Sequence, residues 1–205
     1  MTYLSTHAGI VAQRLLEHVA LTATALAIAL LIALPLGVAA ARSARIGALI
    51  LGAAGAIYTI PSLALFALLI PIEGIGFWTA VTALAIYAQM ILVRNVAAAL
   101  RAVPFAQDDA AVGIGMSAWQ CLVRVDLPLA LPVMLAGLRI ATVATIGMAN
   151  LAAWIDAGGL GTLLFAGIQQ DDPQRIVAGA LASAALAVAA DLILRGAERL
   201  TRNAT

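Results

Sequence analysis

Several residue types that mark whole classes of protein are scarce or absent in this sequence of 205 residues. The one cysteine, Cys121, cannot form an internal disulfide and has no companions that would complete a metal site. Lysine is absent, and so is the glycine-rich loop ending in Lys-Ser or Lys-Thr that binds nucleotide phosphates. The formal net charge of +1 gives no strong positive field for nucleic acid. We therefore expect this chain to bind no metal, no nucleic acid and no ATP by that loop.

Charged residues are also scarce, at 10% of the chain, while 64% of residues are apolar and the mean hydropathy is +1.06. Soluble domains are usually about half apolar. These values predict an all-α integral membrane protein with one domain, 1–205. A signal peptide is not expected, because the first apolar run is about 20 residues long and a signal core has roughly 7–15.

Five apolar runs are long enough to cross a membrane as helices, at about 20 residues each. The mixed segment before them, 1–18, predicts an amphipathic helix that lies at the interface. Pro61 falls inside the second run, where a nearby hydroxyl can satisfy the carbonyl that loses its helical partner. The predicted transmembrane helices are 19–41, 46–70, 77–100, 131–155 and 176–194.

Arginine is distributed unevenly between the two ends of these helices. With the N-terminus outside, only Arg14 and Arg175 lie outside, while most other arginines fall in the cytoplasm. This follows the positive-inside rule, so we expect the N-terminus outside and the C-terminus in the cytoplasm. The arginines assigned to the cytoplasmic side are Arg42, Arg45, Arg101, Arg124, Arg195, Arg199 and Arg202.

One segment between the runs, 104–128, carries three aspartates and an arginine and is too polar for hydrocarbon. We call it the knob, and the arginine distribution places it in the cytoplasm. Pro104 can begin a helix, and Ser117 with Gln120 fits a capping box for a second short helix. Pro128 is expected to end that helix. By pattern alone the knob could also be an ordinary loop that lies on the lipid headgroups.

The knob resembles the EAA loop of bacterial ABC importer permeases. That pattern is Glu-Ala-Ala, three residues, Gly, nine residues and Ile-x-Leu-Pro, and the run from Asp109 to Pro128 has the same spacing. Asp109 replaces Glu and Val125 replaces Ile. The resemblance implies a type I ABC importer permease fold, in which the knob is the coupling helix that docks on a cytoplasmic ABC ATPase dimer. The coupling residues would be Asp109, Ala110, Ala111, Gly115, Leu127 and Pro128.

Further motifs resemble one subgroup of these permeases, which imports glycine betaine, choline, carnitine and related osmoprotectants. The resemblance implies a bacterial inner-membrane location, ATP and Mg²⁺ on the partner ATPase, and an extracytoplasmic binding protein that selects the solute. Asp156 replaces the small residue usual at its position, which leaves the solute open. The motifs are His18-Val-Ala-Leu, Leu34-Pro-Leu-Gly37, Ile60-Pro-Ser-Leu-Ala64, Arg101-Ala-Val-Pro104 and Ala157-Gly-Gly-Leu-Gly161.

Five spans are too few to enclose a solute pathway, so we expect a second permease copy, identical or a paralogue, across a two-fold axis. Polar residues within the runs are candidates for the pathway. The alternative for each is an interhelical hydrogen bond that only holds the bundle together. Quaternary ammonium compounds bind aromatic faces, which are few here, so weak solute binding is expected. The candidates are Tyr58, Thr59, Ser62, Gln89 and Asn150.

Charges inside the spans need partners in lipid. Asp191 is expected to pair with Arg139 or Arg94 and to brace two helices near the cytoplasmic side. The histidines, His7 and His18, are expected to be hydrogen-bonded residues at the interface without a metal.

No catalytic constellation is present, which predicts a non-catalytic transport subunit embedded in membrane lipid. An alternative solute is another small molecule such as methionine. An alternative from a different class is a secondary carrier that works without ATP. Such carriers tend to have inverted repeats and acids at mid-membrane, and neither is evident here.

Overall fold

The computed structural model describes residues 3–202, without the side chains of Leu4, Ser5, Phe105, Asp108 and Arg202. Regular structure in that part of the chain is entirely helical, as the composition predicts. A π-helical turn at Leu122–Asp126 and a 3₁₀ turn at Asn150–Ile155 join some of the helices. The α-helices are α1 Tyr3–Thr6, α2 Ala8–Arg42, α3 Ala44–Tyr58, α4 Ser62–Glu73, α5 Phe77–Arg101, α6 Phe105–Gly113, α7 Ala118–Cys121, α8 Leu127–Ala149, α9 Gly161–Gln169 and α10 Pro173–Arg202.

Four unbroken helices are long and apolar enough to cross a membrane, namely α2, α5, the continuous helix Ala118–Ile155 and α10. The pair α3 and α4 supplies a fifth crossing if it counts as one broken span. The helix α5 lies at the centre of the bundle, because it packs against α2, α3, α4 and α8. The helix α10 lies at the edge and packs mainly on α8 and α9.

The first span differs from its prediction, because α2 is one helix of 35 residues with no break at residue 18. At 1.5 Å per residue this is about 52 Å, well beyond the roughly 30 Å of a hydrocarbon core. Neither glycine nor proline occurs between residues 10 and 34, so nothing in this stretch stops a helix. The predicted interfacial segment is therefore the extension of the first span.

The second span is broken and not merely kinked. The helix α3 ends at Tyr58, α4 begins at Ser62, and the two axes differ by 94°. Pro61 has no N–H for a continuing helix and disfavours helical angles at the residue before it. The Thr59 hydroxyl donates to Ala56 O at 2.7 Å, which is the kind of compensation that the sequence predicts. We call residues 59–61 the bend.

Pro128 does not end a helix, contrary to prediction. The chain runs from α7 through the π-helical turn into α8 without interruption. Pro128 occupies one of the first two positions of α8, where its missing N–H and fixed φ cost little. The fourth span therefore begins inside the knob at Ala118 and not at residue 131. The knob and the fourth span therefore share one continuous helix.

The short helix α9 lies between the last two spans, where no helix is predicted. It packs against α10 and the 3₁₀ turn through glycines. A Cβ at Gly161 would overlap the backbone of Asn150, and a Cβ at Gly167 would lie 2.9 Å from Ile176 N. The three elements therefore approach to backbone contact.

The most extensive contact between described helices joins α2 and α5, where small side chains line both surfaces. Ala29, Ala33 and Ala97 are at most 1% exposed. A Cβ at Gly37 would lie within van der Waals overlap of Val96, whose branched side chain has little freedom to move. Small residues serve the same purpose in other membrane helices, because dispersion contacts replace the hydrophobic effect in lipid.

We expect Gly37→Ala to destabilise the protein relative to Gly52→Ala by about 1–3 kcal/mol, the usual cost of overpacking. Gly52 also lies inside a helix but has nothing within 4 Å of a Cβ, so both variants share the same gain in helix propensity. The measurement is thermal unfolding in detergent. Equal midpoints for the two variants would contradict this account of the α2–α5 contact.

Candidate translocation and coupling sites

The knob is built from two helices separated by a tight turn. The helix α6 ends at Gly113, and Gly115 has a φ of +86°, which favours glycine. The predicted capping box then begins α7. Ser117 N donates to Gln120 Oε1 at 2.8 Å, and Gln120 N donates to Ser117 Oγ at 3.4 Å. The box satisfies two of the backbone donors that a helix start leaves free.

The residues that match the EAA pattern do not all face outward. Asp109, Ala110 and Gly115 are exposed, whereas Ala111 is only 5% exposed. Ala111 is covered because α6 lies across α7 and the π-helical turn. The small side chain of Ala111 therefore serves the internal packing of the knob, and its expected part in coupling stays a prediction. Leu127 is half-buried and Pro128 is exposed.

An apolar patch on the knob was not predicted. Val112, Ile114 and Trp119 are 63%, 78% and 69% exposed. The spacing of these residues does not predict their exposure, because exposure depends on which face of α6 packs against α7. Exposed apolar residues at a polar surface mark a site of protein or membrane contact.

Two arginines connect the helix ends next to the knob, and one of them reaches the knob itself. Arg101, at the end of α5, donates to the carbonyls of Ala40 and Ala41 at the end of α2. Arg42 Nη2 donates to Ala118 O of the knob at 3.2 Å. A cation is favourable at a helix C-terminus, where carbonyls lack helical partners. These arginines therefore have a structural role.

Three pathway candidates, Tyr58, Thr59 and Ser62, lie together at the bend. Tyr58 is 44% exposed, and its ring meets that of Tyr87 edge to face, with 5.7 Å between centroids. The Tyr87 hydroxyl donates to Ile60 O, a carbonyl that the bend leaves without a helical partner. Tyr87 was missed because it lies within an otherwise apolar run.

The other two pathway candidates lie apart from the bend. Gln89 Nε2 donates to Ala29 O at 3.1 Å, and its side chain borders an apolar cavity of about 440 Å³ between α2, α3 and α5. Asn150 Oδ1 accepts a hydrogen bond of 2.9 Å from Ser183 on α10. This is the interhelical bond that the alternative interpretation expects of Asn150.

The charged residues of the last spans form a cluster between α8 and α10. Arg139 Nη2 lies 2.9 Å from Asp191 Oδ1, and Arg139 Nη1 lies 2.6 Å from Glu198 Oε2. Arg195 completes the cluster with a contact of 3.1 Å to Asp191. The spacing 191, 195, 198 places these three residues on one helix face, a signal that the sequence contains. Arg94 is exposed and makes no ion pair within residues 3–202.

Two sequence motifs 142 residues apart meet at the opposite end from the knob. Glu17 Oε2 accepts from Gly159 N at 2.9 Å, and His18 Nδ1 accepts from Leu160 N at 3.2 Å. Because Nδ1 accepts, Nε2 carries the proton and donates to Ile146 O at 3.0 Å. His18 is fully buried and hydrogen-bonded, while His7 is exposed. Both ring nitrogens of His18 are engaged by the backbone.

Comparison with known proteins shows one family. Residues 33–203 match the family described as binding-protein-dependent transport system inner membrane component. The osmoprotectant import permease protein OsmW of Salmonella typhimurium is 43% identical over 94% of this chain and 92% of its own. The glycine betaine/carnitine/choline transport system permease protein OpuCB of Bacillus subtilis is 35% identical over 97% of this chain and 92% of its own.

Solved structures show the same fold. The inward-facing MetNI methionine ABC transporter superposes with a TM-score of 0.84 at 21% identity, covering 90% of this chain and 93% of that one. An amino acid ABC transporter with histidines superposes with a TM-score of 0.75 at 20% identity, covering 98% and 97% of the two chains. At this identity the likeness establishes the type I ABC importer permease fold and not the solute.

We expect His18→Ala to destabilise the fold strongly, because it leaves Leu160 N buried without a partner and removes from Ile146 O the nearer of its two side-chain donors. A buried backbone group without a partner costs about 1–3 kcal/mol. His7→Ala is the matched control, since His7 is exposed and surface substitutions stay within about 0.5 kcal/mol. The comparison is made by thermal unfolding of the purified variants in detergent, and a similar loss in both variants would show that the buried bonds of His18 are not important.

Proposed function

The chain belongs to the family of binding-protein-dependent transport system inner membrane components, and we propose that it forms the membrane pathway of an ATP-driven importer for quaternary ammonium osmoprotectants. The observation that carries the solute class is the 43% identity to an osmoprotectant import permease. Glycine betaine, choline and carnitine, which appear in the names of further relatives, are the candidate solutes. The chain itself catalyses no reaction.

The proposed pathway runs between two copies of the permease, or this chain and a paralogue, and the bend faces it. Breaks in a spanning helix are tolerated only where they are buried in protein or line an aqueous cavity, because lipid cannot satisfy freed backbone groups. The bend is exposed on this single chain. It is therefore expected to face the second copy and the solute, which brings Tyr58, Thr59 and Ser62 to the pathway.

The aromatic face of Tyr58 is the proposed contact for a quaternary ammonium group. Such cations have no N–H donor and are attracted to aromatic rings. One half-exposed tyrosine supports a weak contact, which suits a conduit that must release its solute. Selection then belongs to a separate extracytoplasmic binding protein, which would dock near the turn 156–161 held by Glu17 and His18.

The knob is the proposed contact with a cytoplasmic ATPase dimer, which would hold the ATP and Mg²⁺. Its exposed apolar patch and the exposed Asp109 support a docking surface. The helix α8 begins inside the knob, Arg42 ties the knob to α2, and Arg101 ties α2 to α5. ATPase movement would therefore reach three spans. The arginine distribution supports an orientation with the knob and the C-terminus in the cytoplasm and the N-terminus outside.

The similarity to known proteins favours this function over the alternatives. Methionine appears in the name of a structural relative that is only 21% identical, whereas osmoprotectants appear in the names of relatives at 32–43%. A secondary carrier working without ATP does not fit membership in a family of binding-protein-dependent transport components.

The proposed function is tested by uptake into vesicles that contain the permease, its ATPase and its binding protein. We expect ATP-dependent uptake of labelled glycine betaine, choline or carnitine, and no uptake of methionine. Vesicles that lack the ATPase are the control and should take up nothing. Preferential uptake of methionine would overturn the solute class, and uptake without the ATPase would overturn the transport class.

We expect Gly115→Trp to reach the membrane but to abolish uptake, because a large side chain blocks close docking of the knob. Gly115→Ala is the matched control, since any side chain at a φ of +86° carries the same backbone strain. Co-purification with the ATPase measures docking. If both variants lose the ATPase equally, backbone strain and not side-chain volume is responsible, and if Gly115→Trp keeps normal uptake, the proposed docking surface is wrong.

A further inference from the structure

A long groove runs between the end of α2 and the start of α8, and it is not explained by coupling or by the solute pathway. Its volume is about 850 Å³. Apolar residues of both helices form its walls, among them Leu34, Val38, Leu127 and Met134. Among the residues that the structure describes, Arg42 is the only charged one that lines it, and Trp119 of the knob is 69% exposed beside it.

The groove has the length of one membrane leaflet. From Leu34 to Arg42 the helix rises about 12 Å at 1.5 Å per residue. Half of a hydrocarbon core is about 15 Å. The charge lies at the end next to the knob, where α2 leaves the span, and the other end lies within the span. The groove is therefore apolar over one leaflet and positive at the membrane surface.

The guanidinium of Arg42 can bind an anion at this place. One of its five N–H donors is used by Ala118 O at 3.2 Å, which leaves the others for a second acceptor. On the side away from the groove, Arg42 borders a polar cavity with Arg101, Asp109 and Asp126, where two positive and two negative charges balance. On the groove side, the lining residues offer no carboxylate to Arg42.

We propose that this groove binds one anionic phospholipid, with its phosphate on Arg42 and an acyl chain between α2 and α8. The occupant must be apolar over one leaflet and negative at the surface, and phospholipids of the surrounding bilayer have this form. Arginine recognises phosphate oxygens, and basic sites between spanning helices bind lipid headgroups.

The bound lipid would stabilise the joint between the knob and the bundle. Arg42 connects α2 to Ala118, the first residue of α7, and the acyl chain would fill the space behind this connection. A ligand that binds only the folded protein raises its stability with concentration. Stabilisation by lipid therefore gives a readout that does not depend on transport or on the identity of the solute.

The test counts lipids on the complete transporter, purified with its ATPase, by native mass spectrometry after titration with phosphatidylglycerol or phosphatidylcholine. We expect one phosphatidylglycerol per permease to be retained, at least about fivefold more tightly than phosphatidylcholine. Arg42→Gln should remove this preference. Arg45→Gln is the matched control, because Arg45 is an exposed arginine three residues later that does not line the groove.

A second variant tests the acyl-chain part of the site. Ala39→Trp would fill the groove while leaving Arg42 in place, so it should lose the retained lipid and the rise in melting temperature that phosphatidylglycerol gives the wild type. A photoactivatable phosphatidylglycerol should label residues 34–42. The proposal is overturned if wild type retains both lipids equally, if Arg42→Gln binds like Arg45→Gln, or if the label falls on the ATPase, which would show that protein covers the groove.

Discussion

A backbone N–H or C=O without a partner is costly in hydrocarbon, and this constraint decides where the polar side chains of the chain lie. The helical pattern stops at the bend, at the turn before α9 and at the end of α2. A side chain from a distant helix meets the backbone at each place. The Tyr87 hydroxyl donates to Ile60 O, His18 accepts from Leu160 N, and Arg101 donates to Ala40 O. The interruptions are thus held by residues of continuous helices.

Close packing, helix continuity and ion pairs connect the unbroken spanning helices and the knob. The helices α2 and α5 pack at glycine and alanine distance, α8 continues out of the knob, and Arg139 ties α8 to α10. The pair α3 and α4 has no comparable ion pair within the described residues, and its bend is exposed.

Much of the fold is visible in the sequence because lipid imposes simple requirements on length and polarity. The number of crossings, the knob and the Ser117–Gln120 capping box follow from such local patterns. The angle of the bend does not, because Pro61 interrupts a helix but only packing against α5 sets its direction. The burial of Ala111 depends on how α6 lies across α7, and the continuity through Pro128 depends on a π-helical turn. Both are tertiary features without a periodic signal.

The structure also separates the polar residues that hold the bundle together from those that can meet a solute. Asn150 bonds to Ser183 of another helix and is satisfied by that contact. Gln89 bonds Ala29 O through its amide nitrogen, while its Oε1 is buried with no hydrogen-bond partner in residues 3–202. Tyr58 alone among the five candidates presents a large half-exposed surface. A quaternary ammonium group has no N–H to donate to that oxygen, but it is attracted to an aromatic face. The exposed ring of Tyr58 at the bend is therefore the contact that we propose for a quaternary ammonium solute.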